Sequence, residues 1–292
     1  MRVLVTGASG FSGSFVARDL ARGGHDVVAL HRSETHFLTR LSGEPRVHKH
    51  HGDLIDAARL PGPFDAVIHA GATSPVPGID VAQIVRDNVT GTQALIEAAE
   101  SWAAKAFVFF SSLSVYGEVA AGVVDERTAI VNPDAYGASK RLGELLLAAR
   151  AERLPGLAIR LPSVVGPGAH RNWLSGVAAR LQAGETVRAF HLDAPFNNAA
   201  HIADLAALVS RAIEDPWTGF DVIVVGARGQ LSVRDAITRL ANGLGVEARI
   251  EEIAAAKPSF TLSSERAISR WGYDPMQIGA MIDRYAAEVR AG

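Results

Sequence analysis

Tyr136 and Lys140 stand four residues apart in NPDAYGASKRLGELLLAAR (residues 132–150) and could form a proton-transfer pair. The segment reads as a helix from Tyr136, and residues four apart on a helix share a face. A phenol beside an ammonium there is either a catalytic device or ordinary surface decoration. A second cluster is VTGASGFSG, where Gly7, Gly10 and Gly13 fall between a predicted strand and a predicted helix. Glycines in that place permit a tight turn and a close backbone approach to a pyrophosphate. The helix N-terminus behind them offers N–H groups and a favourable dipole.

The end of the second predicted strand, ALHRS, bears on which dinucleotide is bound. An acidic residue there accepts hydrogen bonds from a ribose 2′-hydroxyl and favours NAD. This chain has His31 at that place and Arg32 after it. A guanidinium binds a 2′-phosphate through charge-assisted hydrogen bonds. The reading is therefore NADP(H), with NAD(H) as the alternative and a solvated Arg32 as the bland account.

These residues need elements to hold them. Short apolar runs at residues 2–7, 26–31, 65–71, 105–112 and 157–162, with a weaker one at 46–53, alternate with helical patterns at 12–24, about 80–102 and from Tyr136. Apolar strands alternating with helices imply a parallel sheet covered on both faces. Beyond Pro162 the rhythm loosens. Helical patterns occur near 172–184, 202–214, 231–243 and 276–290, with short strands near 220–225 and 247–252. We expect a first domain over 1–162 and a smaller substrate region over 163–292, with parts near 197–228 returning to the sheet.

Composition narrows the function classes. Of 292 residues 48% are hydrophobic and 21% charged, as in an ordinary soluble protein. A net charge of -2 gives no electrostatic reason to expect a nucleic-acid or membrane-surface partner. The absence of cysteine excludes disulfides, thiolate metal sites and cysteine nucleophiles. No apolar run reaches a membrane span, and the chain opens directly on MRVLVTG, so a cytoplasmic location is expected. His48, His50 and His51 lack carboxylates at a recognisable ligand spacing, and no metal site is expected.

Taken together and in order, the motifs resemble the extended short-chain dehydrogenases/reductases, which include NAD(P)-dependent sugar-nucleotide epimerases, dehydratases and ketoreductases. The resemblance runs through TGASGFSG, GDL (52–54), VIHAGA (67–72), DNVTGTQALIEAA, SSLSVYG, YGASK, IRLPSVVGPG and HIADLA. It implies an α/β, Rossmann-type doubly wound parallel sheet with a smaller, interleaved C-terminal substrate region. Cofactor contacts are implied at Gly7, Ser9, Gly10, Phe11, Gly13, His31, Arg32, Asp53, Leu54, Ala70, Gly71, Ala72, Asn88, Pro162 and Ser163, besides Tyr136 and Lys140.

The same resemblance makes Tyr136 the general acid/base and Lys140 its partner, the ammonium lowering a phenol pKa of about 10. Counting from VYG puts the catalytic hydroxyl on Ser112, with Ser111 and Ser114 as competitors. Dehydratases of the group carry an Asp-Glu pair where this chain has Leu113 and Ser114, so 4,6-dehydration is not expected. The usual phosphate-gripping arginine falls on Asn197, which brings no charge. Ser112, Ser114, Arg171, Asn172, Asn197 and Arg266 are the candidate substrate contacts. Relatives pair helices like those at 80–102 and 136–150 into a dimer, so a homodimer is expected. The function read is keto-sugar reduction or epimerisation on a sugar nucleotide. The alternatives are a reductase or dehydrogenase of a non-nucleotide substrate and, from another class, a dinucleotide-sensing protein.

Overall fold

The computed structural model describes every residue except Pro77. β1 (Arg2–Thr6), β2 (Asp26–His31), β3 (Val47–His51), β4 (Ala66–His69) and β5 (Ala106–Ser112) share one sheet with the strands Gly156–Leu161 and Phe220–Val224. Across the sheet the order is Phe220–Val224, Gly156–Leu161, β5, β4, β1, β2, β3. The four pairings from β3 to β5 are parallel, and Val3 lies between Val27 and Ala66. Val3, Leu4, Val5, Val67 and Ile68 are wholly inaccessible, which is why β1 and β4 read as unbroken apolar runs rather than alternating ones. β3 is the exception. It carries VHKHH at the sheet edge, where exposed polar and charged side chains discourage pairing with another chain. The chain works outward from β1 to β3, then crosses back to β4. The crevice beyond the carboxyl ends of β1 and β4 is where such sheets bind ligands.

Helices cover this sheet. α1 (Phe11–Arg22) buries Phe11, Phe15, Val16 and Leu20 and stops at Gly23 and Gly24. The stretch expected to be one helix over about 80–102 is instead α2 (Val81–Ile84), a π turn (Val85–Thr90) and α3 (Gly91–Ser101). The wider turn lets consecutive residues Asp87 and Asn88 both face inward. Asp87 accepts the Thr73 hydroxyl and Asn88 accepts the Thr73 N–H. α4 (Ala135–Ala148) begins where Asp134 accepts the Gly137 N–H at 2.7 Å.

The chain forms two compact units. The first is Met1–Glu118, Ile130–Arg160 and Ala206–Ile223, and the second is Val119–Ala129, Leu161–Leu205 and Val224–Gly292. A single boundary at residue 162 misses the excursion Val119–Ala129, which is claimed by the second unit because Val123–Val124 pairs in parallel with Thr261–Leu262. The second unit has its own core of Leu174, Val177, Leu181, Ile237, Leu240, Met281, Ile282 and Tyr285. These side chains come from the helices Trp173–Gln182, Val233–Leu244 and Ile278–Ala291, close to the expected positions. The expected strand near 247–252 is Ile250–Glu252, paired with Val187–Ala189. The short helix Glu265–Trp271 was not expected, since seven residues show too little periodicity.

Within the first unit α4 lies very close to the sheet. A methyl group on Gly143 would come within 2.6 Å of the Phe109 ring. Gly143→Ala is therefore expected to destabilise the fold by about 1–3 kcal/mol through overpacking. The midpoint of urea unfolding measures it, and an unchanged midpoint would mean that α4 is free to shift.

Candidate functional site

The glycine turn after β1 is built for close backbone approach. Gly7 has φ of +67°, and a Cβ there would lie 2.6 Å from the Gly71 amide nitrogen, so the turns after β1 and β4 touch backbone to backbone. A Cβ on Gly13 would strike the Gly7 carbonyl oxygen, since α1 lies hard against the turn. Gly10 caps α1 with no side-chain hydrogen bond and no acid in the first turn, leaving the positive end of the helix available to an anion. A cavity of about 180 Å³ opens here, lined by Gly7, Ser9, His31, Arg32, Asp53, Leu54, Gly71, Ala72, Thr73 and Asp87, among others. Many of the residues expected at the cofactor thus share one cleft. Phe11, the first residue of α1, is buried against Phe37, and Ala70 lies in the turn after β4. This cradle fits a dinucleotide: a Cβ would fill it, and the helix end suits a pyrophosphate.

Arg32 does not stand alone. Its guanidinium reaches the Asp87 carboxylate at 2.8 Å and lies 3.9 Å from Asp53. Arg86 pairs with both acids, at 3.0 Å to Asp53 and 2.6 Å to Asp87. Asp87 is held below the usual carboxylate range by the Thr73 hydroxyl and the two guanidinium groups, against the opposing effect of burial. Two arginines and two carboxylates therefore form a balanced cluster at the mouth of the cleft.

Asn88, from the π turn, links the cleft to α4. Its amide donates to the Thr73 carbonyl at 3.0 Å and to Ser139 at 3.1 Å, and Ser139 donates to the Tyr136 carbonyl at 2.7 Å. A second path runs through buried His69, which bonds Thr6 through Nδ1 at 2.7 Å and Thr92 through Nε2 at 2.8 Å. The Thr92 hydroxyl donates to the Asn88 carbonyl, so Nε2 carries the proton and Nδ1 accepts from Thr6. Burial, reinforced by the charge of Lys140, keeps this imidazole neutral.

Tyr136 and Lys140 do lie on one face of α4, with the Lys140 amine 5.9 Å from the phenol ring centroid. The amine donates to the Phe110 carbonyl at 2.8 Å and sits 4.8 Å from the centre of the Phe109 ring. Burial pushes the lysine down to about 7, partly opposed by Glu144. It pushes the Tyr136 phenol up to about 12, with Asp134 adding to the effect. The expectation that the ammonium lowers the phenol is therefore corrected for the protein alone. Both groups lose water, and desolvation outweighs an attraction across this distance.

The serines separate by role. Ser111 donates to Glu144 at 2.6 Å, which commits it to structure. Ser112 accepts from the Ser114 N–H and donates to its hydroxyl at 3.2 Å, forming the turn Leu113–Tyr116 that follows β5. That turn meets α4 directly, since a Cβ on Gly137 would strike the Ser114 carbonyl.

The remaining candidates fall in the second unit. Pro162 precedes Ser163–Val165, a strand paired with Ala199–His201. Asn172 caps the helix Trp173–Gln182 in a capping box with Ser175, and Arg171 before it has φ of +56°. The Asn197 amide is used twice on the Leu262 backbone, at 2.8 Å to its carbonyl and 2.8 Å from its N–H, so it acts as a structural pin. Arg266 lies on the helix Glu265–Trp271. Among the described residues no three metal-binding side chains converge. His48 instead meets Asp26 at 2.8 Å.

Sequence reasoning missed Glu144 and Arg160, which are 0% and 3% exposed. Two signals were present: an acid four residues beyond Lys140 on the same helix face, and an arginine inside the apolar strand LAIRLP.

The lysine shift has a consequence for stability. Between about pH 7 and 10 the unfolded chain holds a proton on this lysine that the folded chain has lost, so Lys140 makes stability rise with pH, by up to about 1.4 kcal/mol per unit. Lys140→Met should remove that slope. Urea unfolding across this range measures it, and an identical slope in the variant would place the lysine in water.

Residues 3–226 match the model of the NAD dependent epimerase/dehydratase family. Among curated proteins, a dTDP-glucose 4,6-dehydratase of Streptomyces griseus is 36% identical over 156 residues, 49% of this chain and 48% of that one. A UDP-glucose 4-epimerase of Streptomyces lividans is 32% identical, over 58% of this chain and 54% of that one. A D-erythronate dehydrogenase of Cupriavidus necator is 34% identical, over 58% and 57%. The chain spans about half the length of the curated relatives it matches. Among solved structures, MoeE5 in complex with UDP-glucuronic acid and NAD is similar with a TM-score of 0.85 and 25% identity, covering 100% of this chain and 99% of that one. A UDP-glucuronic acid 4-epimerase from Bacillus cereus in complex with NAD shares the fold at 24% identity and the same TM-score, covering 100% and 99%. By its family match, its sheet order and its glycine turn, this chain belongs to the NAD dependent epimerase/dehydratase family.

Proposed function

We propose that this protein oxidises and reduces a sugar carbon on a nucleotide-linked sugar, as a ketoreductase or an epimerase, with a nicotinamide dinucleotide held at the glycine turn. The observation that carries this reading is the pair of half-buried Tyr136 and buried Lys140, on one helix face beside the Ser112–Ser114 turn and in the same unit as the dinucleotide cleft. The dinucleotide supplies the hydride acceptor or donor. Tyr136 Oη gives or takes the proton of the reacting oxygen, and in the protein alone it is held protonated at neutral pH. The Ser112 hydroxyl orients that oxygen. In its protonated form, which the protein alone keeps below about pH 7, Lys140 steadies a developing phenolate. Elimination of water is set aside, because Leu113 and Ser114 bring no acid or base. An intact phenol–lysine pair also argues against a purely sensing role. The matched dTDP- and UDP-sugar enzymes, and MoeE5 with its UDP-sugar, support a nucleotide-linked substrate.

A second reading, a non-nucleotide hydroxy compound, is favoured by two observations. Asn197 is uncharged and closed onto Leu262, and a D-erythronate dehydrogenase is among the relatives. For the cofactor, the balanced Arg32–Arg86–Asp53–Asp87 cluster moves the proposal from NADP(H) toward NAD(H). Asp53 and Asp87 would repel the 2′-phosphate that Arg32 would attract. Pro162, Ser163, Arg171, Asn172 and Arg266 remain proposed contacts. The cytoplasmic location stands as part of this reading. We also propose a homodimer. Val81 and Val85 precede α3, Leu142 and Leu145 lie on α4, and all four are 46–56% exposed. Such an apolar face suits a second copy of the chain.

Three experiments test these readings. Thermal stabilisation should be larger with NAD than with NADP, and a panel of UDP, dTDP, GDP and CDP should add a further shift with one of them. About 2.7 kcal/mol is gained at a hundred times the dissociation constant. Stabilisation by dinucleotide alone moves the search to free hydroxy acids and sugars. Tyr136→Phe should keep the NAD shift and lose at least about 100-fold in turnover, and undiminished turnover would remove Tyr136 from the chemistry. For assembly, light scattering should give twice the chain mass, and Leu145→Glu should halve it. A monomeric wild type would overturn the dimer.

A further inference from the structure

We infer that Glu144 is a positioning residue for the Tyr136–Lys140 pair: its clamped carboxylate holds the end of β5 to α4 and keeps negative charge beside the buried amine. This deepens the oxidoreductase reading and rests on it for the role of Lys140.

The geometry carries the inference. Glu144 stands one helical turn beyond Lys140, so Tyr136, Lys140 and Glu144 form a row at four-residue spacing. Its carboxylate takes four hydrogen bonds. Oε1 accepts from Ser111 at 2.6 Å and from Arg160 Nε at 2.9 Å, while Oε2 accepts from Arg160 Nη2 at 2.8 Å and Arg141 Nη1 at 2.8 Å. Arg160 spends a further donor on the Tyr116 hydroxyl at 2.9 Å. One carboxylate thereby ties together α4, β5, the turn Leu113–Tyr116 and the strand Gly156–Leu161. The carbonyl that receives the lysine belongs to Phe110, the residue immediately before Ser111, and Ser112 follows. Fixing Ser111 fixes both the acceptor of the amine and the hydroxyl of the candidate site.

Stability alone does not explain such a pair. Two charges taken out of water are costly, and apolar residues of the same volume often serve a core as well or better. Here the charge is placed where a neighbouring amine needs one. Tyr136 on α4 and His69 on β4 also lie near Lys140, the imidazole kept neutral, and the guanidinium groups of Arg141 and Arg160 stand on the Glu144 carboxylate. Glu144 opposes the desolvation of the lysine, and His69 and Tyr136 do not.

The chain has four lysines, Lys49, Lys105, Lys140 and Lys257, so their side chains can be followed singly. Titration of ¹³C-labelled lysine by NMR in the full chain, with Lys140→Arg to assign the signal, gives the midpoint of Lys140. Glu144→Gln is expected to lower that midpoint by about one pH unit or more. Glu144→Asp should restore part of it. If Glu144→Gln does not fold, the paired replacement of Glu144 and Arg160 by Leu keeps the space filled and should lower the midpoint likewise. A folded variant with an unmoved midpoint overturns the inference and leaves Glu144 a structural brace. A lowered midpoint together with full turnover in Tyr136→Phe would instead retain the hold on Lys140 and remove Tyr136 from the chemistry.

Discussion

The candidate site depends on how closely α4 lies against β5. Two glycines make the approach: Gly143 leaves room for the Phe109 ring, and Gly137 leaves room for the Ser114 carbonyl. At that separation water has no place around Lys140. The amine is left with one carbonyl and an aromatic face, and its proton affinity drops by the ordinary rule for a buried cation. The phenol beside it shifts the opposite way for the same reason. Packing distance sets the titration of both groups, and their titration sets what chemistry the helix can offer.

A helix held this way is unusual in what it buries. The inward face of α4 is Gly137, Ser139, Lys140, Gly143, Glu144 and Leu147, of which only Leu147 is a large apolar side chain. Its attachment relies on directional bonds: Ser139 to Asn88, Lys140 to Phe110, and Glu144 to Ser111 and Arg160. Those bonds continue through Asn88, Thr92, His69 and Thr6 to the Gly71 N–H. The glycine turn and the helix that carries Tyr136 and Lys140 thus share one hydrogen-bonded framework threaded through the sheet. Apolar packing of Leu4, Val67, Phe107 and Phe109 supplies the stable background for it.

Much of the first unit was legible because parallel strands must be apolar on both faces and glycine turns must be small. That Tyr136 and Lys140 share a helix face was legible from spacing, whereas their role was implied only by the resemblance. What was not legible depended on long-range partners. Arg32 looked free to bind a phosphate until Asp87, 55 positions away, was found on it. Asn197 looked open to substrate until Leu262 took both ends of its amide. Counting from VYG favoured Ser112 over Ser111, but that Ser111 is held by Glu144 was not legible, and the pKa of Tyr136 followed burial that spacing does not reveal. The excursion of Val119–Ala129 into the second unit rests on a two-residue strand that no local pattern marks.

The π turn at Val85–Thr90 also has a bearing on inheritance. An α-helix turns about 100° per residue, so the extra residue that widens this turn sets the rotational phase of Val81 and Val85 relative to α3. Deleting one residue there would restore regular winding but swing the exposed valines about a quarter-turn around the helix and pull Asn88 off Thr73. The length of this segment is as constrained as the identities of Asp87 and Asn88. Gaps among descendants of this chain should therefore fall elsewhere.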